Sequence, residues 1–163
     1  MKKIFLIGMP GCGKSTIGKI LAEKLSIDFV DLDEEISASA GMDIPEIFRR
    51  FGEAGFREKE KAALFALETR QNIVVSCGGG IILDAENRAF MREEGIVALI
   101  NRPLEELACG GIRPLSKSPE ALRKMYEVRR DLYEEAATFA VDNGKNISPQ
   151  SAAAKIMEKI YEN

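Results

Sequence analysis

Eight residues near the N-terminus constrain this chain more than any others. Gly8-Met-Pro-Gly-Cys-Gly-Lys14-Ser15 fits G-x-x-x-x-G-K-[ST] without deviation. A short apolar run, KIFLI at 3–7, precedes it, and KSTIGKILAEKL at 14–25 follows. In that second segment Ile17, Ile20, Leu21 and Leu25 recur at helical spacing. A strand, a glycine-rich turn and a helix in this order make a phosphate cradle. The glycines let backbone N–H groups close on a phosphate where a Cβ would clash, and the helix N-terminus adds partial positive charge. A lysine at position 14 reaches β- and γ-phosphates, and a hydroxyl at 15 can ligate Mg²⁺. The motif predicts a nucleotide-phosphate site at 8–16, bound through Gly11, Cys12, Gly13, Lys14, Ser15 and Thr16. The bland alternative is a plain glycine-rich turn, and the flanking elements argue against it.

The rest of the chain alternates strand and helix signals. Further strands are predicted at 29–32 (FVDL), 72–76 (NIVVS), 96–100 (IVALI) and 139–141 (FAV). Asp43 and Pro45 predict a helix start, with Ile47, Phe48 and Phe51 on one face. Helices are also predicted at 56–69 with Leu64 and Leu67 inward, at 84–94, at 120–137, and after Ser148-Pro149. Short apolar strands alternating with helices predict a parallel sheet covered on both faces, in one domain spanning 1–163. Ligands of such sheets sit at the C-terminal ends of strands. Polar features fall there: Gly8 onward, Asp31 with Asp33, and Ser76 to Gly80.

Composition removes whole classes of function. A net charge of −3 over 163 residues argues against a nucleic-acid binder that neutralises many phosphates. No apolar stretch approaches the roughly 20 residues of a membrane helix. The apolar run after the first lysines ends in Pro-Gly after about five residues, too short for a signal core. Cys12, Cys77 and Cys109 have no metal-like spacing, which suits a reducing cytoplasm. The chain contains no histidine. Ser-His-Asp hydrolysis, His-ligated zinc and His bases are therefore excluded together.

Several candidate residues carry two readings from the sequence. In a strand, Asp31 and Asp33 would share one face, one holding water on Mg²⁺ and the other facing an attacking hydroxyl. The same DLDEE also reads as a solvated helix start. Gly78-Gly79-Gly80 implies close approach to the backbone, or a tight turn. Arg57 and Arg129 suit a planar carboxylate, yet either could be a surface ion-pair partner. Residues 108–119 (ACGGIRPLSKSP within them) read as a lid around Arg113, or as a surface loop. Phe48 and Phe56 wall a pocket or fill the core.

Taken together the motifs resemble shikimate kinase. FVDLDEEI, IPEIFRRFGEAGFREKE, VVSCGGGIIL, RPL at 113–115 and RRDLY at 129–133 occur in that order along nearly the whole chain. The resemblance implies an α/β P-loop kinase fold of the nucleoside-monophosphate-kinase type, with a central parallel five-stranded sheet. It implies a substrate-binding region at about 33–60 and a lid at about 108–119. It implies transfer of the γ-phosphate of ATP, with Mg²⁺, to the 3-hydroxyl of shikimate in aromatic amino-acid synthesis. Carried over residue by residue, Asp33 contacts shikimate hydroxyls and Asp31 lies near Mg²⁺ through water, beside Ser15. Arg57 and Arg129 hold the carboxylate, and Glu60 supports Arg57. Gly78, Gly79 and Gly80 offer N–H groups. Arg113 reaches the phosphates, so that Lys14, Asp33 and Arg113 form the catalytic set. The implied partners are shikimate and ATP, with no nucleic acid or membrane, for a cytoplasmic monomer.

Another small-metabolite kinase of this fold, acting on gluconate or a nucleoside monophosphate, is the alternative within enzymes. A nucleotide-binding module without catalysis is the alternative outside them. One departure stands out: 104–112 (LEELACGGI) holds no basic residue to pack over adenine. The sequence therefore predicts weak nucleotide discrimination, or an adenine contact from the loop at 142–148. Cys12 and Cys77 are expected to be reachable by thiol reagents, unless both are small buried fillers.

Overall fold

The computed structural model describes residues 3–107 and 118–162. Arg113, Cys109 and most of the predicted lid lie outside the described residues. The elements are β1 Lys3–Ile7, α1 Lys14–Leu25, β2 Asp28–Asp31, α2 Leu32–Ala40, α3 Ile44–Phe65, β3 Ile73–Ser76, α4 Ala85–Glu94, β4 Gly95–Asn101, α5 Pro119–Ala136, β5 Phe139–Asp142 and α6 Pro149–Glu162. Short 3₁₀ turns occupy Ala66–Thr69, Ile81–Leu83 and Leu104–Glu106.

The five strands form one sheet in the order β2-β3-β1-β4-β5, and every pairing is parallel. β1 is central, and all five of its residues are buried. Its partners are apolar runs of the same kind, with Ile4 level with Val74 on one side and Ile96 on the other. Such continuous apolar strands are stable only when both faces are covered. α1 packs with α6, while α4 packs with both α3 and α5.

An ion pair between a buried lysine and a half-buried glutamate marks the start of the central strand. Lys3 Nζ bonds Glu94 Oε2 at 2.6 Å and the Glu68 carbonyl at 3.2 Å. Glu94 ends α4, where a negative charge opposes the helix dipole, and the lysine offsets that cost. The next residue, Gly95, opens β4 beside Lys3. A Cβ on Gly95 would lie 2.0 Å from the Lys3 carbonyl oxygen. β4 therefore starts one residue before the apolar run that predicts it.

Two local expectations are corrected. Asp33 does not share a strand face with Asp31, because β2 ends at Asp31 and Asp33 lies in the first turn of α2. Asp31 Oδ1 accepts from the Asp33 N–H at 3.0 Å and the Glu34 N–H at 3.3 Å, capping the helix. Phe51 does not share the buried face of Ile47, since it is 49 % exposed. Gly52, at φ 70 and ψ −177, breaks α3 just after it and resets the helical phase. The Phe51 ring then packs on Gly55 and lies 4.6 Å from Lys59 Nζ.

Replacing Gly95 by alanine should lower unfolding free energy by about 1–3 kcal/mol, because backbone, not a flexible side chain, blocks the new methyl. Urea denaturation should show a lower midpoint with an unchanged slope; an unchanged midpoint would contradict the packing described.

Candidate active site

The phosphate loop leaves β1 at Gly8 and enters α1 at Lys14. Gly13, at φ 103, is the N-cap of α1, and no side chain caps that end. The first N–H groups of α1 are thus left for a ligand. Lys14 is buried, with Nζ 2.7 Å from the Gly8 carbonyl and 3.0 Å from that of Met9.

Three oxygen side chains meet beside this loop. Ser15 Oγ donates to Asp31 Oδ2 at 3.1 Å and lies 3.0 Å from Ser76 Oγ. Asp31 therefore caps α2 with one carboxylate oxygen and holds the loop serine with the other. Ser76 ends β3; the sequence places it among the polar strand ends but assigns it no role. Its signal was present: a hydroxyl at the C-terminal end of a predicted strand. The oxygen donors fit Mg²⁺, a hard cation that usually keeps waters and substrate phosphates among its ligands. Among the described residues no cluster of three or more His, Cys, Asp or Glu could hold a metal alone.

A cleft of about 730 Å³ extends from the loop toward α3 and α5. Lys14, Ser15, Asp31, Asp33, Arg57, Glu60, Gly78, Gly79, Gly80 and Arg129 all line it. Arg57 Nη1 donates to Glu60 Oε1 at 3.0 Å. Gly80 faces this guanidinium so closely that a Cβ would lie 2.4 Å from Nη2. Arg129 on α5 is 5 % exposed, whereas Arg130 is a surface residue paired with Glu134 at 3.7 Å. The helix phase thus buries Arg129, the arginine that the resemblance singles out, and leaves its neighbour Arg130 on the surface. Phe48 and Phe56 also line the cleft, with ring centroids 4.7 Å apart, so they pack together and form a wall.

Glu60 is 1 % exposed, and its Oε2 has no hydrogen-bond partner. Burial pushes its carboxyl above the ordinary range; Arg57 opposes the shift, and the nearby Asp33 charge adds to it. The resemblance pairs Glu60 with Arg57, but its burial could not be read from the sequence, because burial of one glutamate on a charged helix depends on tertiary packing.

A second cavity, of about 490 Å³, lies across the phosphate loop. Gly11, Gly13, Thr16, Arg102, Asn143 and Lys145 are in its wall. Arg102 donates to the Asn143 carbonyl at 2.7 Å and to that of Glu106 at 3.3 Å. Asn143 Nδ2 in turn donates to the Cys12 carbonyl at 2.8 Å, and the Lys145 N–H to the Glu106 carboxylate. The loop at 142–148 therefore lines the space beside the phosphate loop. Arg102, at the end of β4, brings a basic side chain to a wall whose following segment, 104–112, lacks one.

Comparison with known proteins decides the family. The family model for shikimate kinase matches residues 10–161. A shikimate kinase of Bordetella pertussis is 45 % identical over 148 residues, 86 % of this chain and 70 % of that one. A shikimate kinase of Persephonella marina is 40 % identical over 165 residues, covering 98 % and 99 %. The structure of a shikimate kinase from Acinetobacter baumannii in complex with shikimate superposes with a TM-score of 0.95 at 35 % identity, covering 100 % of this chain and 94 % of that one. The chain belongs to the shikimate kinase family. That membership sets aside the gluconate-kinase, nucleotide-kinase and non-catalytic alternatives, and the five-stranded parallel sheet is the fold of the family. No helix among the described residues is long and apolar enough to cross a membrane.

The expectation of thiol sensitivity at Cys12 and Cys77 is corrected in this shikimate kinase family member. Both side chains are buried. Burial also pushes the Cys77 thiol far up, with Lys14 opposing and Glu60 adding. The reactive thiolate is therefore suppressed. Iodoacetamide at pH 7.5 followed by peptide mass spectrometry should find both residues unmodified in the native protein and modified in denaturant. Native labelling of either would contradict this packing.

Glu60 predicts a pH signature. Its folded pKa lies above its ordinary value of 4.5, so the native state holds the proton more tightly than the unfolded chain. Its contribution to stability is full below pH 4.5 and declines as pH rises through the folded value. Glu60→Gln keeps an oxygen for Arg57 and removes the titration. Calorimetric Tm values from pH 4.5 upward should fall less steeply in this variant, whereas parallel profiles would refute the assignment.

Proposed function

We propose that this chain carries out the family's reaction, ATP-dependent phosphorylation of shikimate to shikimate 3-phosphate, with the following division of labour. Arg57 and Arg129 hold the shikimate carboxylate through charge-assisted, fork-like hydrogen bonds. Asp33 and the N–H groups of Gly78, Gly79 and Gly80 orient the ring hydroxyls. The loop N–H groups from Gly11 to Thr16 wrap the phosphates of ATP. Lys14 exchanges the Gly8 and Met9 carbonyls for β- and γ-phosphate oxygens. The second cavity receives the nucleoside, with the 142–148 loop as the adenine-side wall.

Asp33 orients the 3-hydroxyl and accepts its proton as the new O–P bond forms and the bond to ADP breaks. A strong base is unnecessary, because the transition state is loose and positioning with charge neutralisation dominates. Arg113 stabilises the transferring phosphoryl group from the lid side. Ser15 would ligate Mg²⁺ and Asp31 would orient a water on it; the bound ion would supply charge neutralisation for the phosphates of ATP. Burial of both unpaired cysteines Cys12 and Cys77 suits a reducing cytoplasm. The large apolar side chains exposed among the described residues, Phe51, Val128 and Tyr161, sit on three different helices, which suits a monomer.

One observation carries this reading: both arginines, the triple glycine, Asp33 and Lys14 line a single cleft. In a coupled assay, ADP release should depend on shikimate and be absent with quinate or gluconate. Arg57→Ala should raise the shikimate KM by about 10- to 100-fold, the loss of a charged hydrogen-bond pair, while the ATP KM stays constant. Shikimate-independent ADP release at full rate would sink the reading.

A further inference from the structure

Tyr133 has no role in the division of labour above. It lies on α5 one turn beyond Arg129 and is 2 % exposed. Its hydroxyl donates to the Gly79 carbonyl at 2.6 Å and lies 3.7 Å from Met9 Sδ. One hydroxyl therefore touches both the triple glycine and the phosphate loop. Gly79 is confined on another side by Pro10, since a Cβ there would lie 2.8 Å from Pro10 Cδ. Pro10 is thus a wall and Tyr133 a tether for the same peptide.

Peptide geometry gives the tether a consequence. The Gly79–Gly80 bond is trans and planar, so fixing the Gly79 carbonyl fixes the Gly80 N–H in the opposite direction. Without a tether, consecutive glycines sample far more dihedral space than other residues. Among the described residues no backbone acceptor takes the Gly80 N–H. Gly80 itself lies against the Arg57 guanidinium. Burial raises the phenol further above its ordinary value, against the pull of Arg129, so the hydroxyl remains a donor throughout the working pH range. Core packing alone would need only the ring, which phenylalanine also supplies.

We propose that Tyr133 is a positioning residue for phosphoryl transfer. Through the Gly79 carbonyl it aims the Gly80 N–H at the acceptor and keeps the acceptor cradle in register with the phosphate loop. This rests on the reading that Arg57 and the triple glycine hold shikimate. Reacting atoms must approach to about 3–3.5 Å in line, so a small slip between the two cradles costs rate.

Tyr133→Phe keeps the ring and removes the tether. The folded variant should show an ATP KM within about twofold of wild type, and kcat/KM for shikimate lower by about tenfold, with most of the loss in kcat. Hydrogen exchange at the Gly80 amide should quicken. Tyr133→4-aminophenylalanine, which restores a donor, should recover most of the rate. Unchanged kinetics in the Phe variant, a loss that only tracks the folded fraction, or failure of that variant to fold would each overturn the proposal. Arg57→Ala separates it from the reading beneath it. If Arg57→Ala leaves the shikimate KM unchanged, the binding site itself is misassigned. If that KM rises while Tyr133→Phe is silent, only the tether falls.

Discussion

A fully buried strand at the centre of a parallel sheet sets the place of every other part. β1 presents Ile4, Phe5, Leu6 and Ile7 to apolar surroundings, each contributing roughly 1.5–3 kcal/mol of burial. Because its neighbours run parallel to it, the C-terminal ends of β1, β2 and β3 share one edge. That edge carries Gly8, Asp31 and Ser76. A slip of β1 by one residue would move Gly8 out of line with Asp31 and Ser76. The Lys3–Glu94 pair and the absence of a side chain at Gly95 hold β1 and β4 in their register.

Asp31 converts this shared edge into a connected site. Its two oxygens serve different elements, one capping α2 and the other accepting from Ser15. The orientation of α2, and so of Asp33 in its first turn, is tied to the phosphate loop. On the far side of the cleft, Arg57, Glu60, Gly80 and Arg129 form a charged wall within a buried setting. An unpaired Glu60 oxygen there costs stability. Its Oε1 accepts from the Arg57 guanidinium, which lies against Gly80.

The fold was largely legible, and particular residues show why. β1 and α1 begin and end where the apolar run and the helical spacing place them. Helix boundaries at Asp43, Asp84 and Ser148 follow side-chain caps that are local in sequence. Errors came where a local pattern had two solutions. FVDLD reads as alternating strand, but the cap formed by Asp31 starts a helix inside it. Phe51 reads as a core residue until the phase reset at Gly52 is known. Cys12, inside the phosphate loop, and Cys77 read as reachable from the site, yet both side chains are buried.

The sequence alone determined that a phosphate loop joins a strand to a helix, because that geometry arises within one run of eight consecutive residues. It also determined that chemistry here proceeds without histidine, and the order of the five motifs carried the family. Tertiary structure alone decided that Glu60 is buried. It alone brought Ser76 to Ser15 and Tyr133 to Gly79. Those contacts span 61 and 54 residues. No local periodicity encodes them, since they exist only once the parallel sheet and its crossover helices have packed.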